Sequence, residues 1–219
     1  MRQWLKNFLI PYPIKQYRSP INGLIEVIMT FNQPRLIIDG IVQSGGLLRK
    51  IWEKAIKIIK KTDHKINQVL IIGLGCGDCT FQVQKFFPDA QMTGVEIDAK
   101  VVEAAECYFN LATVKNLKIA VEEGGKFVEK LTLRKNKTKF DLVIIDAYLG
   151  KIMPRQFRTK KFFINLTKIL THNGVVVYNH LFFGEHKQKA KYFIKEMEKV
   201  FGRITLARTA SNLLIFGWF

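Results

Sequence analysis

Apolar and polar positions alternate between two patterns along most of this chain. The short apolar run Val69–Ile72 reads as a strand buried on both faces, Phe140–Ile145 as another buried strand, and Met92–Ile97, Leu117–Val121 and Val175–Tyr178 as further strands. Between them, apolar residues recur at helical spacing. Leu48, Ile51, Trp52, Ala55, Ile58 and Ile59 do so with lysines opposite, which predicts an amphipathic helix. Phe81, Phe86 and Phe87 mark a second helix, stopped by Pro88. Val101, Val102, Ala105, Tyr108 and Phe109 form the stripe of a third, over 99–109, and a short fourth ends near Leu131. Phe162, Phe163, Leu166, Ile169 and Leu170 mark a fifth, with Asn173–Gly174 as its stop, and a sixth covers 187–201. Two last strands, Arg203–Ala207 and Leu213–Trp218, have no helix between them and predict an antiparallel edge hairpin.

Alternating strands and helices imply a mostly parallel sheet with right-handed crossovers. The expected fold is α/β: a seven-stranded Rossmann-like sheet with an antiparallel edge hairpin. Residues 1–46 differ, being rich in Pro and Gly with strand-like runs only at Leu24–Phe31 and Leu36–Ile38. Pro34 between these runs suggests the turn of a small hairpin. The expected organisation is a short N-terminal hairpin segment, 1–46, followed by one α/β domain, 47–219, long enough for a full-sized core. The lysine-rich run Arg134–Lys139 reads as a solvated loop.

The candidate chemistry begins where the first apolar run stops. Gly73, Gly75 and Gly77 follow Ile72 directly, so the backbone can turn sharply and approach a ligand with no Cβ in the way. The next strand delivers Glu96 and Asp98 at its carboxyl end, where ligands of open α/β sheets sit. An acid about twenty residues after a glycine turn is placed to accept from ribose hydroxyls. A Walker phosphate loop is excluded, because no Gly-Lys-Ser/Thr follows. The spacing G-L-G-C-G-D also differs from the dinucleotide pattern G-x-G-x-x-G and looks like the G-x-G-x-G turn of class I S-adenosylmethionine-dependent transferases. Asp146 stands at the tip of the Phe140–Ile145 strand, and Tyr148 lies in the loop beyond it.

Charge widens the list of partners. A net charge of +17 favours an anionic partner, nucleic acid or a membrane surface, or else a solvated basic surface. No arginine-rich block or nucleic-acid motif narrows that choice. Three cysteines suggest no disulfide framework, so a reducing, cytoplasmic setting is the default. The C-x-x-C of Cys76 and Cys79 lacks a second ligand pair, and no metal site is expected. No apolar run reaches the roughly eighteen residues of a membrane-spanning helix. The N-terminal MRQWLKNFLIPYP is cut short by Pro11 and Pro13 and does not read as a signal peptide, although Trp4, Phe8 and Leu9 leave surface anchoring open.

Taken in order, several segments resemble spermidine synthase, the polyamine aminopropyltransferase family, over nearly the whole chain. LIIDGIVQSG resembles the family's L-x-x-D-G-x-x-Q stretch, and VLIIGLGCGD its glycine turn. VEID resembles the ribose-binding strand end, VEEGG the adenine-contact segment, FDLVIID the strand of the catalytic aspartate and THNGVVVYN the following strand. DAYLGKIMPRQFRTKKFF looks most like the branch in which D-A-F and I-P-x-x-L-x-T replace D-S-S-D-P. The resemblance implies a fold of the class I S-adenosylmethionine type. It implies Gln43 at the nucleoside or sulfur, Gly73, Gly75 and Gly77 along the ligand, Glu96 on the ribose diol and Glu123, where the family usually has Asp, on the adenine amine. Asp146 would be the catalytic base, with Tyr148 shaping the acceptor pocket. The implied co-substrate is decarboxylated S-adenosylmethionine, or S-adenosylmethionine itself, with a small amine as acceptor. A homodimer is open.

Two positions depart from the family. Cys76 stands where the synthases hold the aminopropyl amine with Asp, and Leu149 replaces a second Asp three residues after the catalytic one. Asp78 and Asp39 are candidates to compensate. These losses keep a methyltransferase of a small molecule or RNA in view, and the charge keeps a non-catalytic basic binding module. His180, after a strand, could line the pocket or be a hydrogen-bonded core residue. Asp141, at a strand start, reads as structural.

Overall fold

The computed structural model describes residues 11–46, 48–62, 64–134 and 138–218. Trp4, Phe8 and Leu9 lie outside the described residues, as do the three central residues of the 134–139 loop. The central apolar runs become strands because side chains on both faces find cover. In β5 (Gln68–Ile72), Val69 and Ile71 enter one core and Leu70 and Ile72 the other, all at most 1% exposed. β8 (Phe140–Ile145) and β9 (Leu170–Leu181) divide the same way. Burying each such side chain contributes about 1.5–3 kcal/mol, which is what holds an otherwise bare parallel pair together.

With β6 (Gln91–Glu96), β7 (Leu117–Val121), β10 (Arg203–Arg208) and β11 (Asn212–Trp218), these strands form a seven-stranded sheet in the order β10-β11-β9-β8-β5-β6-β7. The pairs from β9 to β7 are parallel, and β11 runs antiparallel to both β9 and β10. α1 (Leu48–Lys60), α2 (Asp78–Phe86) and α3 (Ala99–Tyr108) cover one face. α4 (Gly124–Leu133), α5 (Lys160–Ile169) and α6 (His186–Glu198) cover the other. This is a Rossmann-like fold of methyltransferase type. Its chain order reverses between β5 and β8, and a crevice opens at their carboxyl ends.

The N-terminal segment is larger than a hairpin. β1 (Tyr12–Ser19), β2 (Gly23–Thr30), β3 (Gln33–Ile38) and β4 (Ile41–Ser44) form an antiparallel four-stranded sheet. Its Tyr17, Ile25, Val27, Leu36 and Ile38 join the core beneath α1–α3. The β2–β3 turn is Phe31–Asn32, both at positive φ, and not Pro34. Pro34, in β3, pairs with Met29 of β2 but lies beyond the β3–β4 ladder, which starts at Leu36, so its missing N–H disturbs only one side. The sheet is pinned to the larger one by Asp98, the N-cap of α3. That carboxylate accepts from Lys100 N at 2.9 Å, from Asn22 Nδ2 at 2.7 Å and from the Ser19 hydroxyl.

α5 also ends earlier than expected. Leu170 is already extended and buried, and Asn173–Gly174 sits inside β9, where the register against β8 slips from Phe140–Leu170 to Leu142–Val175. The dipeptide makes a bulge rather than a helix stop. No helix among the described residues is long and apolar enough to cross a membrane.

Candidate active site

The glycine turn and Asp146 leave adjacent strand ends. Asp146 N–H donates to Ile72 C=O at 2.8 Å, which keeps the two paths in contact just past the sheet. Gly73 takes φ +81°, and a Cβ there would stand 2.5 Å from the Asp146 carbonyl oxygen, so only glycine lets them meet. A cleft of about 500 Å³ opens above, between the carboxyl ends of β5, β6, β8 and β9 and the strand β4. Gln43, Gly73, Gly75, Asp78, Glu96, Glu123, Asp146 and Tyr148 all line it. Gly77 does not; its φ of +79° serves the start of α2, against Leu111.

Glu96 is buried on the cleft floor. One carboxylate oxygen accepts from Gly75 N at 2.9 Å, and the other from Ile97 N at 2.8 Å and Asp98 N at 3.2 Å. Burial nevertheless pushes its carboxyl above the usual range. Two backbone turns thus orient the carboxylate at the edge of the glycine turn, with lone pairs left for hydroxyl donors.

Asp146 is partly buried and held by neutral donors. Asn179 Nδ2 donates to one oxygen at 2.9 Å and Trp52 Nε1 to the other at 3.1 Å. Asn179 Oδ1 in turn accepts from Asn212 Nδ2 at 2.9 Å. Burial raises the Asp146 carboxyl to about 6, and the charges of Asp78 and Glu96 add to the rise against the two hydrogen bonds. A carboxyl poised there is mostly ionised at neutral pH and still basic enough to take a proton. Tyr148 donates to Asn179 O at 2.8 Å and accepts from Leu181 N at 3.2 Å. Its hydroxyl is occupied by these two partners, and burial, with the charge of Asp146 nearby, pushes its phenol pKa well up, so it stays protonated.

Other expected residues meet different fates. Asp78 is tied up: it accepts from Gly45 N at 2.7 Å and pairs with Arg49 Nε at 2.9 Å. Glu123 caps α4 through Gly125 N at 2.7 Å and Lys126 N at 2.8 Å and also accepts from Gln156 Nε2, so little of it is left for an adenine amine. Gln43 donates to Gly150 O at 3.3 Å, bridging β4 to the loop after β8. Asp39 lies in the exposed β3–β4 turn, off the cleft, so it cannot compensate there. Cys76 points into the core with its N–H on Ser44 Oγ at 3.1 Å, and burial pushes its thiol and that of Cys79 well up. His180 is off the cleft too, with Nδ1 on Leu181 O at 2.7 Å and its ring against Phe193. Asp141 orders Asn67 N, Gln68 N and Thr171. No metal-holding cluster of His, Cys, Asp and Glu occurs among the described residues.

Trp52, Asn179, Asn212 and Arg49 are the functional neighbours that periodicity hid. Trp52 read as a position of an amphipathic helix and Asn179 as a strand end, while Arg49 and Asn212 drew no reading. Only the THNGVVVYN resemblance pointed near Asn179.

Fold and cleft together define a class I S-adenosylmethionine-type domain, with a nucleoside-sized crevice at the switch point of its sheet. The chain belongs to the spermine/spermidine synthase domain family, which matches residues 49–213. It is 30% identical over 115 residues to a polyamine aminopropyltransferase of Vibrio vulnificus, covering 52% of this chain and 38% of that protein. A Drosophila melanogaster eEF1A lysine and N-terminal methyltransferase homolog is 32% identical over 119 residues, 52% of this chain and 17% of that protein. The chain thus spans well under two thirds of each of these relatives. A spermidine synthase solved with the transition-state analogue AdoDATO superposes with a TM-score of 0.78 at 21% identity, over 94% of this chain and 73% of that one.

Proposed function

We propose that this chain transfers an aminopropyl group from decarboxylated S-adenosylmethionine to an amine acceptor and releases methylthioadenosine. The observation that carries the reading is Asp146, a carboxylate with only neutral donors, facing the cleft beside the glycine turn. An amine near pKa 10 is mostly ammonium at neutral pH and cannot attack until it loses a proton. Asp146 is suited to accept that proton. The freed nitrogen lone pair then attacks the carbon next to the sulfonium sulfur. The C–S bond breaks, and its electron pair leaves with sulfur as a neutral thioether. Glu96 would hold the ribose diol through its unused lone pairs, and Gly73 and Gly75 would let the backbone lie close to the nucleoside.

A second reading, methyl transfer from S-adenosylmethionine, is favoured by the Arg49–Asp78 pair. With Cys76 turned into the core and Asp78 neutralised, no free carboxylate of the glycine turn remains for the aminopropyl ammonium. Incubation with each co-substrate and identification of the product nucleoside separates the two. Methylthioadenosine supports aminopropyl transfer; S-adenosylhomocysteine supports methyl transfer. Failure to bind methylthioadenosine, S-adenosylmethionine and its decarboxylated form at millimolar concentration overturns both.

A further inference from the structure

We infer that the acceptor is a monoamine carried on an apolar body, and not a diamine or polyamine; the inference rests on the transfer reading above. Among the described residues, five carboxylates line the cleft: Asp78, Glu96, Glu122, Glu123 and Asp146. Four are committed elsewhere. Asp78 is paired with Arg49, Glu122 with Lys130, Glu123 is spent on the α4 cap, and Glu96 faces the glycine turn. Asp146 alone is left for ammonium groups, the co-substrate's own included, so a second ammonium on the acceptor has no carboxylate to neutralise it.

Beyond Asp146 the mouth of the cleft turns apolar. Val42, Leu149 and Phe183 line it and are 40%, 46% and 40% exposed. Lys151, a cation two residues after Leu149 in the same loop, lines the cleft as well. The rim is built rather than loose: Leu149 and Ile152 exchange backbone hydrogen bonds at 2.9 and 3.0 Å, and Gln43 ties β4 to Gly150. A diamine seated with one nitrogen at Asp146 would bring its second ammonium to this rim. There it would shed water against apolar side chains, near a like charge, with no anion to receive it. An alkyl or aryl body would instead cover Leu149 and Phe183 and gain by their burial.

Isothermal titration of 2-phenylethylamine, 1-aminobutane and 1,4-diaminobutane tests this, on the chain alone and on the chain saturated with methylthioadenosine. Both monoamines should bind at least about tenfold more tightly than the diamine, the usual cost of one unpartnered charged group. An added acid at the rim, Leu149→Asp or independently Val42→Glu, should improve diamine binding by about tenfold and leave nucleoside binding unchanged. Equal or tighter diamine binding by the unmodified chain overturns the inference, as does absence of amine binding, or indifference of the diamine to both substitutions. Failure to bind methylthioadenosine, S-adenosylmethionine and its decarboxylated form alike sinks the transfer reading instead, and the order of amines on the chain alone still decides this one.

Discussion

Replacing Asp146 with Asn should make the protein more stable at pH 8 while nearly abolishing turnover. Burial and the neighbouring charges of Asp78 and Glu96 lift this carboxyl from its ordinary 3.8 to about 6. A folded-state value above the unfolded one means a contribution fully present below about pH 4 and lost as pH rises through about 6. The shift is about 2 units at about 1.4 kcal/mol each, so ionised Asp146 costs the fold at most about 3 kcal/mol at pH 8. Asn cannot ionise and removes that cost. It also offers one acceptor where Trp52 and Asn179 supply two donors. A joint flip of the Asn179 and Asn212 amides, ending on the Ser211 hydroxyl, re-pairs the row and leaves a residual loss of about 1 kcal/mol. The net expectation is a gain of about 1–2 kcal/mol at pH 8 that becomes a loss of about 1 kcal/mol at pH 4. Urea unfolding of both proteins at pH 4, 6 and 8 measures it, and a stability difference independent of pH refutes the argument. Turnover should fall by roughly two to four powers of ten, less at high pH where more acceptor is already neutral. Near-normal turnover at neutral pH would remove Asp146 as the base. With Asp39 off the cleft, suspicion would then pass to Asp78.

Trp52→Phe keeps a ring in the core but withdraws the N–H on Asp146; the acid limb of the pH–rate profile should move up by about half a unit to one unit, and an unmoved limb counts against the contact. Glu96→Ala should weaken methylthioadenosine binding by about 1.5–3 kcal/mol or more, read by calorimetry, through lost charge-assisted hydrogen bonds. Arg49→Met leaves buried Asp78 with the Gly45 N–H alone; because Arg49 is itself partly exposed, about 1–3 kcal/mol should be lost in urea unfolding, and no change would mean the pair is idle. Asp98→Ala removes the α3 cap and the anchor of Ser19 and Asn22 together, costing about 2–3 kcal/mol and speeding amide exchange in β1 and β2; exchange confined to α3 would show that the N-terminal sheet is held otherwise.

Local pattern by itself determined the elements that a chain position can dictate to its neighbours. The two-sided apolar runs specified β5 and β8, and the glycines after Ile72 specified a close turn, because burial period and backbone freedom are properties of a few consecutive residues. Glu96 and Asp146 were legible because the end of a buried parallel strand is a known address in an open sheet. What lay between distant segments was not legible. Trp52 looked like one more core position of a helix until tertiary packing brought its N–H to a carboxylate 94 residues away. The helical pattern did not single out Arg49, yet it meets Asp78 and ties an acid expected at the ligand into the scaffold. Glu123 was expected on an adenine amine, where the family usually has Asp, and the donors of α4 hold it. The same limit explains the N-terminal sheet, where β1 buries only Tyr17 and Ser19 and finds its surface on α3. A hydrogen bond or ion pair depends on where two side chains end in space, and spacing along the chain carries that information only when both partners share one element.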